Sequence, residues 1–135
     1  MKHESITEQI IGAFFAVYNV LGWGFLEQVY QGAMEIELRK RGLRIVPQAK
    51  IKVLYDGVSV GDYFADFLVE GSVIVELKAV ERLASQHDAQ VINYLRASLV
   101  EVGLLVNFGP KPEFRRKVVE KIRESSIQSV VFLPD

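Results

Sequence analysis

Apolar positions recur along this chain first at helical spacing and then at strand spacing. Ile6, Ile10, Phe14, Val17 and Leu21 keep one face of a helix, with Ser5 and Glu8 at the spacing of a capping box. Gly22-Trp-Gly24 interrupts the pattern. From Phe25 to Arg41, Leu26, Val29, Ala33, Met34 and Ile36 predict a second helix stopped by Gly42. Ile45 to Tyr55 alternates as a strand does, with Pro47 marking an edge or an irregular start, and Asp56-Gly57 turns the chain back. The runs 63–69 and 73–78 read as the arms of a hairpin. Ser85 to Val100 returns to helical spacing through Val91, Ile92, Leu95 and Leu99, and Gly103 to Phe108 is a short run suited to a strand buried on both faces. Glu113 to Arg123 predicts a last amphipathic helix and Ser129 to Leu133 a final strand. No linker or repeat divides the chain, so the expectation is one α/β domain over residues 1–135 around a mixed sheet.

The hairpin carries charge where apolar residues are expected. Side chains alternate along a strand, so Ile74, Glu76 and Lys78 share one face of the second arm. If Glu70-Gly-Ser72 is a three-residue loop closed by Val69 and Val73, Leu68 pairs with Ile74 and Asp66 with Glu76. Carboxylates so placed, roughly 5 Å apart at Cβ, oppose folding unless a proton or a cation joins them. A divalent metal is the natural resolution. A two-residue loop would instead set Asp66 opposite Val75, and strand charges commonly form surface ion pairs of little energetic worth.

Composition narrows the chemistry. The 135 residues are 50% apolar and 24% charged, ordinary for a globular domain with a real core. No apolar run reaches the roughly 20 residues that cross a bilayer, and the start, Met1-Lys-His-Glu-Ser-Ile6, lacks the order of a secretion signal, so the expected compartment is the cytoplasm, with no membrane partner. Zero cysteines exclude thiolate metal sites, and two isolated histidines, His3 and His87, make no zinc centre. Any metal is therefore held by oxygens, which favours Mg²⁺ or Mn²⁺.

A formal net charge of -1 argues against a general polycation, yet basic residues gather in two stretches. Arg39, Lys40, Arg41, Arg44, Lys50 and Lys52 form one, and Lys111, Arg115, Arg116, Lys117, Lys121 and Arg123 the other. Such patches track phosphates, or merely favour the ends of helices. Two helical pairs add candidate chemistry. Glu27 and Tyr30 are neighbours three apart, as Gln90 and Tyr94 are four apart, with His87 one turn earlier. Each also has a structural reading: an acid in a first helical turn, a core tyrosine, and a glutamine bonded to a tyrosine on a wet face.

The combination is more specific than its members. Glu27, Asp66, Glu76 with Lys78, and Gln90 with Tyr94 fall in order on helix, strand, strand and helix, and this order resembles the PD-(D/E)xK nuclease superfamily, whose common core is αβββαβ. Gly24-Phe-Leu-Glu27-Gln-Val-Tyr30 further resembles the Gly-x-x-Glu-x-x-Tyr signature of a group of small prokaryotic proteins of unassigned role, and Gln90-Val-Ile-Asn-Tyr94 the Gln-x-x-x-Tyr motif of the RecB-like branch. The likeness runs from Ile6 to about Gly109. It implies a restriction-endonuclease-like fold and a metal, Mg²⁺ or Mn²⁺, held by the carboxylates of Asp66 and Glu76, the carbonyl of Leu77 and, directly or through water, Glu27. It further implies that Lys78 orients the attacking water or offsets charge on the phosphate, and that Gln90 and Tyr94 contact the substrate backbone or brace Lys78. Ala65 stands where the superfamily's name expects Pro.

The function so implied is metal-dependent phosphodiester hydrolysis of DNA. The alternative is a catalytically silent nucleic-acid-binding or assembly module on the same fold. A small-molecule or protein-binding domain that meets the pattern by chance is a third reading, and it predicts no clustering of these side chains. So small a domain has few surfaces for choosing substrates, which points to a protein partner or to dimerisation, and analogy with small junction-cleaving members of the superfamily implies a homodimer.

Overall fold

The computed structural model describes residues 2–121 and 132–133. Helices α1 (Glu4–Leu21) and α2 (Glu27–Lys40) precede strands β1 (Ile45–Tyr55), β2 (Val58–Val69) and β3 (Val73–Lys78). Helix α3 (Ser85–Arg96) then leads to β4 (Val102–Phe108), β5 (Pro112–Val118) and the two-residue β6 (Phe132–Leu133). The strands form one sheet in the order β5-β4-β3-β2-β1-β6. β3 and β4 are parallel, joined by α3 as crossover, and the other neighbours are antiparallel. From α2 to β4 the order is the expected αβββαβ, and the mixed α/β sheet is as predicted.

Alternation sorts the sheet's side chains into two layers. Val73, Val75 and Leu77 of β3, with Val102, Leu104, Val106 and Phe108 of β4, pack under α1 and α2. Ile74 and Leu105 point the other way, against Val91, Tyr94 and Leu95 of α3. β4 is buried along its whole length, as its unbroken apolar run predicts. Each buried Val, Leu or Phe contributes about 1.5–3 kcal/mol of transfer free energy to this core.

One predicted element has the wrong type. The segment expected as a helix over Glu113 to Arg123 is β5 through Val118, while residues 122 and 123 lie outside the described part. Its alternation is real but carried by polar contacts. Glu113 accepts from Asn107 Nδ2 at 3.0 Å and Leu83 N–H at 3.0 Å, and Arg115 and Lys117 both pair with Asp88 of α3. Phe114 and Val118, four apart, look like a helical face but belong to the opposite side of a charged edge strand. Smaller differences are that α1 begins at Glu4, placing Ser5 inside it, that α3 ends at Arg96, and that of the expected strand 129–133 only Phe132–Leu133 falls among the described residues.

The β2–β3 loop has the predicted three residues, with Val69 facing Val73 and left-handed Glu70 (φ 53°) and Gly71 (φ 62°). Beyond Phe67 and Val75 the two strands separate. β2 continues with β1 as a long arm, flanked by β6 only at Lys50 and Ile51, that changes face at Gln48 and Asp66. Ala65 and Phe67 are two apart, yet Ala65 packs toward α3 and Phe67 toward α1 and α2. On β1, Val46 and Ala49, three apart, share the α3 layer. Gln48 between them is left-handed (φ 50°), a costly conformation for a residue with a Cβ.

Tyr30 fixes the entry to α2. Its fully buried ring stacks on Phe108 with centroids 4.2 Å apart, and its hydroxyl donates to Gly22 O (2.7 Å) and accepts from Phe25 N–H (3.2 Å). Gly24 between these contacts has φ 110°, open to glycine alone. The spacing of Gly24, Glu27 and Tyr30 is therefore a clamp: the glycine turns, the tyrosine holds the turn, and the glutamate opens the helix. Tyr30→Phe keeps the ring but strips the turn of both hydrogen bonds, and should lower stability by about 1–3 kcal/mol in urea unfolding.

Candidate functional site

The parting of β2 and β3 leaves backbone groups that a continuous ladder would have paired, and side chains satisfy them. The N–H of Asp66 donates to Glu76 Oε1 at 3.1 Å, and the N–H of Leu77 donates to Asp66 Oδ2 at 2.7 Å. The carbonyl of Asp66 accepts from Gln31 Nε2 of α2 at 3.2 Å. Each carboxylate thus holds the other's strand. Asp66 and Glu76 lie one residue beyond the last paired positions, Phe67 and Val75, where the ladder has ended and these side-chain bonds take its place.

Charge is concentrated in this split. Glu76 is only 5% exposed, and burial, followed by the nearby Asp66, pushes its carboxyl up to about 8. Burial also raises Asp66, against the opposing pull of the Leu77 N–H, Lys78 and Gln48. Lys78 Nζ stands 3.9 Å from Glu76 Oε2. Glu27 is exposed as a residue, but its carboxyl end is withdrawn enough from water to be raised by desolvation, then by Asp66, with Lys78 opposing. Among the described residues no group of three or more His, Asp or Glu that could hold a metal ion is assembled. The close unit is the pair Asp66 and Glu76, with Glu27 in its electrostatic surroundings.

Tyr94 and Gln90 close the α3 side. Gln90 Nε2 donates to the Tyr94 hydroxyl at 3.0 Å, and burial, then Glu76, push that hydroxyl up to about 12. Leu77, whose carbonyl was expected as a metal ligand, meets Asp66 through its N–H. His87 is a cap: its Nδ1 accepts from the N–H of Ala84 at 2.9 Å. Three partners escaped the sequence reading. Gln48 and Gln31 bond to Asp66, and buried Asn107 fastens the segment after Lys78 by bonding both polar backbone groups of Val80, at 2.9 and 3.0 Å. Only Gln48 left a trace in the sequence, as a polar residue beside Pro47 where the strand alternation falters.

The first basic stretch is largely paired with acids within the protein, and the second only in part. Arg39 pairs with Glu35, Lys40 and Arg41 with Glu37, Arg44 with Glu70, and Lys50 with Asp62. In the second stretch Arg115 and Lys117 share Asp88.

A family model described as the PD-(D/E)XK nuclease superfamily matches residues 4–118. The chain belongs to the PD-(D/E)XK nuclease superfamily. Among solved structures, the crystal structure of SSO0001 superimposes with a TM-score of 0.56 at 18% identity, over 93% of this chain and 64% of that one, a likeness of fold. No curated protein matches the sequence. Nucleases of this superfamily generally use divalent metal ions. No helix among the described residues is long and apolar enough to cross a membrane.

The raised carboxyl of Glu76 fixes the sign of a pH effect. It holds its proton in the folded state up to about pH 8 but releases it near 4.5 when unfolded, so stability falls as pH rises through that window. Thermal unfolding without divalent metal should show this decline between about pH 5 and pH 8 for the parent protein, and Glu76→Gln should flatten it.

Proposed function

We propose that this chain hydrolyses phosphodiester bonds of DNA with the help of Mg²⁺ or Mn²⁺ held at Asp66 and Glu76. The observation that carries the reading is the pair of withdrawn carboxylates at the split between β2 and β3, with Lys78 beside them and a proton affinity at Glu76 high enough to mark a shortage of positive charge. A hard cation meets that shortage. Mg²⁺ suits a site with two carboxylates rather than a full protein cage, because it keeps several waters and accepts substrate phosphate oxygens as ligands. Asp66 and Glu76 each retain an oxygen for it, with the Leu77 carbonyl and Glu27, through water, as further oxygens.

Such an ion supplies charge neutralisation on the phosphate and a water of lowered pKa. Lys78, 3.9 Å from Glu76, holds the phosphate or the attacking water in place by charge and hydrogen bonding. Gln90 and Tyr94 form one bonded unit beside Glu76, with the Gln90 carbonyl and the second amide proton left to meet the substrate backbone or to brace Lys78. Gln48, strained and exposed, bonds Asp66 and orients it. The motifs at Gly24–Tyr30 and Gln90–Tyr94 support membership of the small Gly-x-x-Glu-x-x-Tyr group. A cytoplasmic setting, pairing of two copies and a specificity-giving partner protein remain part of the same proposal.

A second reading, a silent nucleic-acid-binding or assembly module, is favoured by the close acids being a pair and not a set of three. One assay separates them. On single-stranded, double-stranded, flapped and branched DNAs with Mg²⁺ or Mn²⁺, the parent should cut at least one substrate. Asp66→Ala, Glu76→Gln and Lys78→Ala should each lose roughly 10²-fold or more of that rate. Absence of cleavage by the parent, or cleavage that survives Asp66→Ala, selects the module.

A further inference from the structure

Beside the carboxylate pair, between β2 and α3, lies an open hollow of about 260 Å³ lined by Tyr63, Gln86, Ala89, Gln90, Asn93 and Tyr94. Tyr94 is its shared wall: it borders the hollow and packs in the same buried layer as Ala65 and Ile74, which lie within two residues of Asp66 and Glu76. Resting on the phosphodiesterase reading, we propose that the hollow binds one unpaired nucleobase of the strand whose phosphate lies at Asp66 and Glu76, so that the substrate is single-stranded at that nucleotide.

The lining chooses the ligand class. It contains two aromatic rings and three carboxamides but no charged side chain. A phosphate, a metal ion or a charged peptide side chain would find no counter-charge there. A base edge presents donors and acceptors side by side, and a carboxamide offers both in one plane. Tyr63 is 40% exposed, and its ring lies 5.2 Å from that of Tyr94, tilted by 39°. The exposed Tyr63 ring gives an aromatic face beside polar groups, the arrangement on which single-stranded nucleic acids stack. The volume is below the usual range for drug-sized ligands and suits a single planar ring system. A base seated there has left its stack, which favours ends, flaps and loops over intact duplex.

The placement of charge agrees. With five of the six basic residues of the first stretch, and Arg115 and Lys117 of the second, paired to acids, uniform contact with the phosphates of a duplex is a weaker source of affinity, and contacts to bases carry more of it. Tyr63 owes its position to the face change at Asp66, since it sits opposite Ile51 on the α3 side of the arm.

The test measures binding apart from cleavage. A fluorescein-labelled ten-nucleotide single strand is titrated with the protein in Ca²⁺ and compared with a strand of the same length made only of abasic sites. The base-bearing strand should bind the parent roughly 5- to 150-fold more tightly. Tyr63→Ala should bring that ratio close to one while Tyr63→Phe keeps it, and Asn93→Ala, on the exposed face of α3, should shrink it. Thermal unfolding shows whether each variant is folded. Equal binding of both strands by the parent, no binding of either, or an unchanged ratio in folded Tyr63→Ala overturns the proposal. Failure of the phosphodiesterase reading is seen separately, as an absence of Mg²⁺- or Mn²⁺-dependent cleavage in a protein that still prefers the base-bearing strand.

Discussion

Two strands part company at Asp66 and Glu76, and the hydrogen bonds that tie each acid to the other's strand are the constraint on which the rest of the molecule depends. A sheet that opens in its middle exposes N–H and C=O groups to a low-dielectric interior, where each unpaired group costs about 1–3 kcal/mol. Here the Asp66 N–H goes to Glu76, the Leu77 N–H to Asp66, and the Asp66 carbonyl to Gln31. The opening is closed chemically without being closed sterically. The carboxylates are thereby withdrawn from water and set against each other, and the raised proton affinity of both follows from holding the opening together.

The surrounding elements are arranged to keep that opening in place. Below it, β3 and β4 run parallel under a fully buried layer, so the end of β3 at Lys78 is rigid. Asn107, on β4 opposite Lys78, anchors the chain as it leaves β3. Gly109 makes room for this: a Cβ there would stand 2.5 Å from the carbonyl of Val80. On the helical side, the Tyr30 clamp fixes where α2 begins, and Gln31 at the start of its second turn ties α2 to β2. The site is thus a meeting point of two helices with two parting strands, and none of its parts comes from a long loop.

Much of this was legible in the sequence because the governing signals were local. The three-residue loop at Glu70-Gly-Ser72 set the register that pairs Leu68 with Ile74 and ends one step short of Asp66 and Glu76, and the apolar run 103–108 announced a doubly buried strand. β5 was misread because its inward face is polar: Glu113, Arg115 and Lys117 are satisfied by Asn107 and Asp88, partners distant in sequence, so hydrophobic periodicity had nothing to report. The same reason hid Gln31 and Asn107, whose roles exist only after the chain has folded. The basic stretches misled in the opposite direction. As sequence the first held no acid of its own, and folding brought Glu35, Glu37, Asp62 and Glu70 to most of it, and Asp88 to Arg115 and Lys117 of the second.

The inversion of both strands at Gln48 and Asp66 separates the β1–β2 ribbon into a root and a tip. The root belongs to the sheet, and its register is locked by packing on both layers. The tip, from Val58 to Phe64, is exposed throughout, and the hairpin already absorbs a register shift between Val53 and Leu54. Lengthening, shortening or recolouring this tip leaves the carboxylate pair where it is. Relatives of this chain are therefore free to evolve new grips through the outer hairpin while the chemistry at its base stands still.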